Sequence, residues 1–291
     1  MSVSAEKLQR LRRQSGVPAT AAAVKAPSAS ETLPMLRRML GVRQRAVTVR
    51  AAESDRQLPG VELSPGLRLL EQVLPWTTVP ACFDGGFARS EPLPSEGMLF
   101  FDTETTGLSG GTGTRAFMIG ASDFVPGGLR IRQLLISHLA AETAMLEAFS
   151  QWLRPDTRLV SYNGRCYDAP LLATRYRLAR KHSPLSELAH LDLLFPTRRR
   201  YRGVWENCKL ATIERNALGI VREDDLPGSE APAAWLHYLR GGSSQLLHRV
   251  LAHNFQDVVT LARLLEHLAV ANGADAYPGE EGVPLVLSGI A

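Results

Sequence analysis

Disulfide-forming and zinc-binding cysteine patterns are missing from this sequence. It has three cysteines, Cys82, Cys166 and Cys208, which lie far apart and form no C-x-x-C pair. An odd number of widely spaced cysteines argues against a disulfide framework and against a structural zinc site. We therefore expect the chain to work in a reducing, intracellular compartment.

Long apolar runs are missing as well. No stretch reaches the roughly 18 continuous apolar residues that indicate a membrane-spanning helix. The charges near the N-terminus are not followed by the apolar segment of a secretory signal. The sequence therefore predicts a cytoplasmic protein that makes no use of a membrane.

Lysine is scarce, with only Lys7, Lys25, Lys181 and Lys209 in 291 residues. The net charge of +4 and the pI of about 9.1 therefore come almost entirely from arginine. The planar guanidinium group suits phosphate, so this composition is compatible with nucleic-acid binding. A GC-rich genome, which writes arginine codons by default, explains the same composition equally well, and charge alone does not decide.

The composition divides the chain into four parts. Residues 1–34 indicate a basic N-terminal segment followed by a flexible linker rich in Ala, Pro and Ser. Residues 35–97 form an extension that is difficult to assign, in which 67–74 is predicted as a short helix. An ordered domain is predicted at 98–271, and the tail 272–291, which contains much Gly and Pro, is expected to be loose.

The ordered domain alternates strands and helices in the way that is typical of a mixed α/β sheet. Strands are predicted within the segments 98–103, 116–124, 129–137, 157–163 and 187–195. The first three are joined by turns and should pair antiparallel, whereas the last two are reached through helices and should pair parallel. Helices are predicted at 141–153, 168–181, 209–218 and 244–271.

Two acidic residues end the first predicted strand, in the sequence MLFFDTET. Asp102 and Glu104 are two positions apart, so on a strand they point to the same face. Two carboxylates on one mostly buried face repel each other and lose hydration, and a divalent cation would relieve both costs. The alternative is a solvent-facing edge or a loop with capping acids, which the preceding apolar residues disfavour.

Three more polar residues stand in patterns that allow a structural or a chemical role. Asp168 follows a turn made by Asn163 and Gly164 and stands where a helix begins, so it could be a simple N-cap. His253 and Asp257 are one turn apart on the longest predicted helix, where a pair on a solvated face is the alternative. Each pattern is ambiguous alone, but the combination with the acidic strand end is more specific.

These residues resemble the three exonuclease motifs of the DEDD (DnaQ-like) superfamily of 3′–5′ exonucleases. The matching segments are DTETTGL at 102–108, the NG…D block at 163–168 and H-x-x-x-D at 253–257. The resemblance is closer still to a bacterial YprB-like branch of RNase H-like proteins, whose typical phrases include DTETTGLSGGTGT, NGRCYDAPLL, HLDLLFP, REDDLPG and HNFQD. It covers roughly residues 98–270.

The resemblance implies a ribonuclease H-like (RNase H-like) α/β fold, a mixed sheet of strand order 3-2-1-4-5 flanked by helices. It also implies hydrolysis of phosphodiester bonds from a 3′ end with two Mg²⁺ or Mn²⁺ ions, which oxygen ligands select. The implied metal ligands are Asp102, Glu104, Asp168 and Asp257, with Asp168 acting mostly through water. His253 would accept the proton of the attacking water.

The spacing of His253 departs from one subfamily pattern. The histidine subfamily has H-x-x-x-x-D, whereas this chain has the H-x-x-x-D spacing of the tyrosine subfamily. Two roles for His253 therefore stay open, a proton acceptor and a group that orients water.

Substrate contacts are expected at six positions: Thr105, Thr106, Leu108, Asn163, Arg165 and Arg199. The first three follow the acidic pair, where the resemblance implies backbone contact with the terminal nucleotide and a wedge against its base. Arg165 lies inside the second motif and could neutralise a phosphate. Arg199 belongs to RRRYRGVW at 198–205, whose basic and aromatic residues suit single-stranded nucleic acid, although a solvated charged loop is the alternative.

The function that these patterns favour is a 3′–5′ exonuclease acting on single-stranded DNA, with a role in DNA repair. An RNA exonuclease is the first alternative, since no residue identifies the 2′-hydroxyl. A catalytically silent nucleic-acid-binding adaptor is the second, against which the four carboxylates argue. The basic N-terminal segment suggests a docking site for a partner, for which a helicase is one hypothesis.

Overall fold

The computed structural model describes residues 55–76, 78–107, 112–223 and 225–273. The predicted basic segment 1–34, the chain beyond residue 273 and Leu108 lie outside the described residues. No helix in the described part of the chain combines the length and the apolar character that crossing a membrane requires.

The described strands form one large sheet and one small sheet. In chain order they are β1 (Val61–Ser64), β2 (Leu67–Pro75), β3 (Cys82–Phe83), β4 (Leu93–Pro94), β5 (Met98–Thr105), β6 (Ala116–Val125), β7 (Gly128–Ile136), β8 (Arg158–Ser161) and β9 (Ala189–Asp192). The large sheet has the order β1-β2-β7-β6-β5-β8-β9, and β3 pairs with β4. β5, β8 and β9 run parallel, whereas the pairs from β5 across to β1 are antiparallel.

The helices of the described residues cover both faces of this sheet. They are α1 (Glu142–Ser150), α2 (Asp168–Leu178), α3 (Leu194–Tyr201), α4 (Leu210–Ile213), α5 (Ala231–Leu239) and α6 (Gln245–Gly273). α4 continues into a π-helical turn, Glu214–Leu218. The predicted mixed α/β sheet with flanking helices is therefore confirmed, and the five predicted strands occupy the adjacent positions β7-β6-β5-β8-β9.

The predicted helix at 67–74 is wrong, because this segment is β2. β2 pairs with β7 in continuous antiparallel register from Leu67 opposite Ile136 to Pro75 opposite Gly128. The partner strand lies far along the chain, so the pairing overrides a local pattern that also suits a helix. The large sheet therefore begins at Val61, ahead of the expected domain start at residue 98.

Side chains of β5 alternate between two hydrophobic clusters. Leu99 and Phe101 belong to a cluster with α1, α2 and α5, whereas Phe100 belongs to a second cluster with α3 and the C-terminal part of α6. The two clusters lie on opposite faces of the sheet, because successive side chains of a strand point to opposite sides. Asp102 and Glu104 continue the Phe100 side, so the apolar pattern of this strand directs both acids toward α6.

Candidate active site

A pocket of about 180 Å³ opens where the C-terminal end of β5 meets α6. Its lining consists of Asp102, Thr103, Glu104, Thr105, Tyr167, Gly228, Pro232, His253 and Asp257. The structure therefore brings four of the predicted catalytic residues, from a strand and a helix about 150 positions apart, to one place.

β5 supplies two carboxylates whose surroundings disfavour negative charge. Glu104 is buried and Asp102 is partly exposed. Burial is the largest cause that raises the pKa of both groups well above its usual range, and the nearby carboxylates of Asp257 and Asp168 raise both further. Ionising this pair is therefore costly, and a bound cation would remove much of that cost.

Asp168 is buried at the first turn of α2 and lies beside this pair. The hydroxyl of Thr103 donates a hydrogen bond to its Oδ1. Burial is the first cause that raises the pKa of Asp168 to about 6, and the Thr103 hydrogen bond opposes the rise. Asp168 does not itself line the pocket, but its charge raises the pKa of Asp102 and Glu104.

The turn that precedes α2 is held by Asp192 at the end of β9. The two carboxylate oxygens of Asp192 accept hydrogen bonds from the backbone N–H groups of Asn163 at 2.7 Å, Arg165 at 3.0 Å and Leu194 at 3.0 Å. Asn163 has a φ of 66°, a left-handed conformation that asparagine tolerates better than most residues. Asp192 thus fixes the start of α2 and with it the position of Asp168.

Asn254 docks α6 onto the sheet beside the acidic pair. It is fully buried, its Oδ1 accepts a hydrogen bond from Gln133 Nε2 at 3.0 Å, and its Nδ2 donates to Asp102 Oδ2 at 3.1 Å. The helix comes this close because Gly120 has no side chain, and a Cβ there would lie 2.0 Å from Asn254 Oδ1. The neighbouring residues of α6 are thereby held over the C-terminal end of β5.

Three of these residues are arranged as a group that could hold a metal ion. Glu104, His253 and Asp257 each offer one ligand atom, and the three atoms lie within 4.8 Å of one another. His253 Nε2 is 3.4 Å from Asp257 Oδ2. Carboxylate oxygens and an imidazole nitrogen suit a divalent cation, and the raised pKa of Glu104 marks a place where positive charge is favoured.

Two charged residues of the site were missed by the sequence analysis. Arg222 donates to both carboxylate oxygens of Glu214, at 2.7 Å and 2.6 Å, and also to Asp257. Asp225 Oδ1 is 2.7 Å from His253 Nδ1. The phrase REDDLPG contains both residues, but nothing in its spacing indicates that they reach α6.

The residues predicted to bind substrate have different positions. Thr105 lines the pocket, and its hydroxyl donates to the Gly107 carbonyl at 2.9 Å. Thr106 lies outside the pocket lining, where its hydroxyl accepts the Arg115 N–H at 3.0 Å. Arg199 lies on α3 rather than on a loop, and it donates to the Phe87 carbonyl at 2.7 Å.

The other described substrate candidates, Asn163 and Arg165, do not line the pocket. Asn163 and Arg165 are both exposed on the turn that Asp192 holds. Tyr167, which the sequence analysis did not single out, lines the pocket and donates from its hydroxyl to the Gly107 carbonyl at 2.7 Å. Its place directly before Asp168 is the signal that could have identified it.

Comparisons with known proteins match a large part of the chain. A family model described as the RNase_H superfamily matches residues 99–269, which is more than half of the chain. "Uncharacterized protein YprB" of Bacillus subtilis (strain 168) is 37% identical over 173 residues, which cover 59% of this chain and 42% of that protein. The chain therefore spans less than half the length of this relative.

The family B DNA polymerase from the hyperthermophilic archaeon Pyrobaculum calidifontis aligns with a TM-score of 0.48 and 13% identity, over 71% of this chain and 29% of the polymerase chain.

Proposed function

The chain belongs to the RNase_H superfamily, and from this premise we propose that the pocket is the active site of a metal-dependent 3′–5′ exonuclease. One observation carries the proposal: carboxylate oxygens of Glu104 and Asp257 lie within 4.8 Å of each other, with Asp102 lining the same pocket and His253 beside them as a group that can accept a proton. Membership of this superfamily supports nuclease activity in general, and the acidic group supports a hydrolytic site at this place.

The carboxylates of the pocket suit divalent ions. RNase H-like nucleases generally use divalent metals, and Asp102, Glu104 and Asp257 would hold them here, with Asp168 acting through water. When bound, two Mg²⁺ or Mn²⁺ ions would supply the positive charge that activates an attacking water and stabilises the leaving 3′ oxygen. The surroundings of Asp102 and Glu104 support this assignment, because burial is the first cause that raises the pKa of both groups, and such a carboxylate pair is unfavourable without a cation.

His253 is the group that we propose to accept a proton. Its Nε2 lies at the pocket beside Asp257, and Gly228 leaves the space in front of this nitrogen open. A neutral imidazole accepts a proton from water near neutral pH, which no carboxylate with an ordinary pKa does as well.

Nucleic acid is the proposed substrate, with single-stranded DNA preferred and DNA repair as the proposed setting. The pocket is small, so it suits the end of a strand better than a continuous duplex. The exposed Arg165 lies on the turn that leads to Asp168, where it could contact a phosphate of the strand. Docking of a helicase on residues 1–34 stays a prediction, since that segment lies outside the described residues.

The direct test is digestion of matched oligonucleotides by purified protein with Mg²⁺ or Mn²⁺. With a 5′ label on single-stranded DNA, we expect a ladder that shortens one nucleotide at a time from the 3′ end. Chelator and Asp102→Ala should both stop it. Internal cleavage without a ladder would contradict the exonuclease proposal, faster loss of RNA would reverse the substrate preference, and tight binding without shortening would favour the adaptor.

A further inference from the structure

The segment between the π-helical turn and α5 brings two charges against α6. We call residues 220–223 and 225–227 the strap; it carries Arg222 and Asp225. We propose that Asp225 is a positioning residue that fixes which ring nitrogen of His253 carries the proton. The catalytic consequence rests on the proposed function, whereas the protonation pattern of the ring is a property of the protein alone.

The contact between Asp225 and His253 requires a hydrogen on one particular nitrogen. Asp225 Oδ1 lies 2.7 Å from His253 Nδ1. An ionised carboxylate only accepts hydrogen bonds, so a contact this short is favourable only when Nδ1 carries the proton. In the neutral ring the second nitrogen, Nε2, then has a free lone pair, and Nε2 is the atom that lies beside Asp257 Oδ2 at 3.4 Å.

Arg222 competes for the same nitrogen and favours the opposite arrangement. Its Nη1 lies 3.1 Å from His253 Nδ1, and a guanidinium group always donates. Nδ1 cannot satisfy both neighbours, because it either donates to Asp225 or accepts from Arg222. If it accepted from Arg222, the lone pairs of Nδ1 and Asp225 Oδ1 would face each other at 2.7 Å.

Other partners of Arg222 decide this competition in favour of Asp225. Nε and Nη2 of the guanidinium group donate to Glu214 and Asp257, and these bonds fix its orientation. Nη1, the nitrogen near His253, also faces Asp225 Oδ2 at 3.5 Å. Arg222 therefore does not depend on His253 as an acceptor, whereas an imidazole without a proton on Nδ1 would be repelled by Asp225. The geometry favours a proton on Nδ1.

The strap is anchored firmly enough to hold Asp225 in place. The Glu214 side chain is only 1% exposed and that of Arg222 only 11% exposed, so their two-pronged ion pair is buried. Charge-assisted hydrogen bonds of this kind fix orientation as well as adding energy. The hydroxyl of Thr260, on α6, donates to Glu214 and ties the pair to the same helix that carries His253.

The other wall of the pocket leaves Nε2 accessible. Gly228 lies opposite this nitrogen, and a Cβ at that position would lie 3.3 Å from it. The ring is therefore held at Nδ1 from the strap side, while no side chain of residue 228 covers Nε2 in the pocket that both residues line. A lone pair on Nε2 can accept a hydrogen bond from water and then its proton, so this arrangement supports the role of proton acceptor that the proposed function assigns to His253.

The first test reads the protonation pattern without substrate or metal. Long-range ¹H–¹⁵N NMR spectra of the full chain, recorded above the pH range in which imidazole titrates, distinguish a protonated from an unprotonated ring nitrogen, and His253→Ala identifies the signals. We expect Nδ1–H in the wild type, a shift toward Nε2–H in Asp225→Ala, and retention of Nδ1–H in Asp225→Asn, whose amide oxygen can still accept this hydrogen bond. Nε2–H in the wild type, or an unchanged ring in Asp225→Ala, would overturn the proposal.

The second test asks whether the effect on rate passes through His253. Asp225→Ala should lower kcat by about 10–100-fold with KM unchanged, a part of what a positioned proton acceptor contributes. The same substitution should have no further effect in the His253→Ala background. Glu223→Ala, which removes an exposed acid from the same strap, is the matched control.

The outcomes separate this proposal from the proposed function. An equal loss caused by Asp225→Ala in both backgrounds would show that the residue does not act through His253. A wild-type protein that hydrolyses no oligonucleotide would contradict the proposed function, while the NMR comparison would still decide the role of Asp225. Asp225→Leu, which has a side chain of similar size and no acceptor oxygen, covers the case in which the alanine variant fails to fold.

Discussion

The two walls of the pocket balance their charges in different ways. The strand wall, Asp102 and Glu104 on β5, has no arginine or lysine within ion-pair distance among the described residues, and the pKa of each group is raised by burial first. The helix wall, His253 and Asp257 on α6, has Arg222 and Asp225 of the strap against it. One wall lacks an internal counter-ion and the other contains one.

This difference indicates where an external cation is needed most. Arg222 pairs directly with Asp257. Its charge lowers the pKa of Glu104 less than burial or the nearby carboxylates raise it. The strand wall should therefore gain most from divalent ions, and the helix wall should hold its geometry without them. Substitutions in the two walls should consequently have opposite effects on the stability of the metal-free protein.

The largest expected effect is the loss of activity in Asp102→Asn. Charge stabilisation by bound metal is worth several kcal/mol, so losing a ligand should lower activity by at least about 10³-fold. In chelator, the same variant should be as stable as the wild type or more stable, because the amide removes a charge that desolvation and the nearby carboxylates disfavour, and it keeps an acceptor for Asn254. Oligonucleotide digestion and urea unfolding measure the two quantities; a clear loss of metal-free stability would contradict the comparison.

Arg222→Met should have the opposite effect on the metal-free protein. It leaves Glu214, which is 1% exposed, as a buried carboxylate without its counter-ion. Removing one partner of a buried ion pair typically costs about 3–5 kcal/mol of unfolding free energy. The control is Arg215→Met, whose pair with Glu206 is more than half exposed and should be worth about 1 kcal/mol or less. Equal losses in both variants by urea unfolding would mean that the helix wall does not depend on Arg222.

The pH dependence of stability provides a test at Asp168. Its pKa rises from 3.8 to about 6 on folding, so the folded state binds the proton more tightly. The stabilisation is present below pH 3.8 and is lost as the pH rises through about 6. Wild type should therefore lose about 3 kcal/mol relative to Asp168→Asn over this interval in chelator. Asp156→Asn, at an exposed acid, should show no such trend relative to wild type.

Saturating Mg²⁺ should reduce this loss for the wild type more than for Asp168→Asn, because a cation near Asp168 favours its ionised form. A flat difference between wild type and Asp168→Asn across the interval would mean that burial does not raise the pKa of this group.

Both walls could be predicted from sequence, whereas the strap that lies against the helix wall could not. An apolar run that ends in two acidic residues two positions apart predicts a buried strand with both acids on one face, and β5 has this structure. His253 and Asp257 likewise follow from helical spacing on α6. The strap shows neither the spacing of a strand face nor that of a helix face. Its path to α6 depends on the buried ion pair between Arg222 and Glu214, so the segment REDDLPG alone does not predict a role in the site.

The same distinction holds for the fold. The strands from β5 to β9 could be predicted because turns, apolar runs and intervening helices mark them locally. β2 could not, since its identity as a strand comes from pairing with β7 about 60 residues later in the chain. α3 contains the run of arginines for which the sequence left a solvated loop as the alternative, and Leu194, Pro196 and Thr197 bury its other side.

The smallest expected effect concerns the contact that joins the two walls. In Gly120→Ala the added methyl group would lie 2.0 Å from Asn254 Oδ1, and Asn254 is fully buried, so the amide must move away from Asp102 or α6 must shift. Overpacking of this kind costs about 1–3 kcal/mol.

Gly113→Ala is the control, since its Cβ would meet nothing within 4 Å and a positive φ does not constrain it. Because the shift separates the strand wall from the helix wall, Gly120→Ala should also weaken Mg²⁺ binding in calorimetry, while Gly113→Ala should not. Unchanged stability together with unchanged Mg²⁺ binding would mean that the two walls reach each other without Asn254.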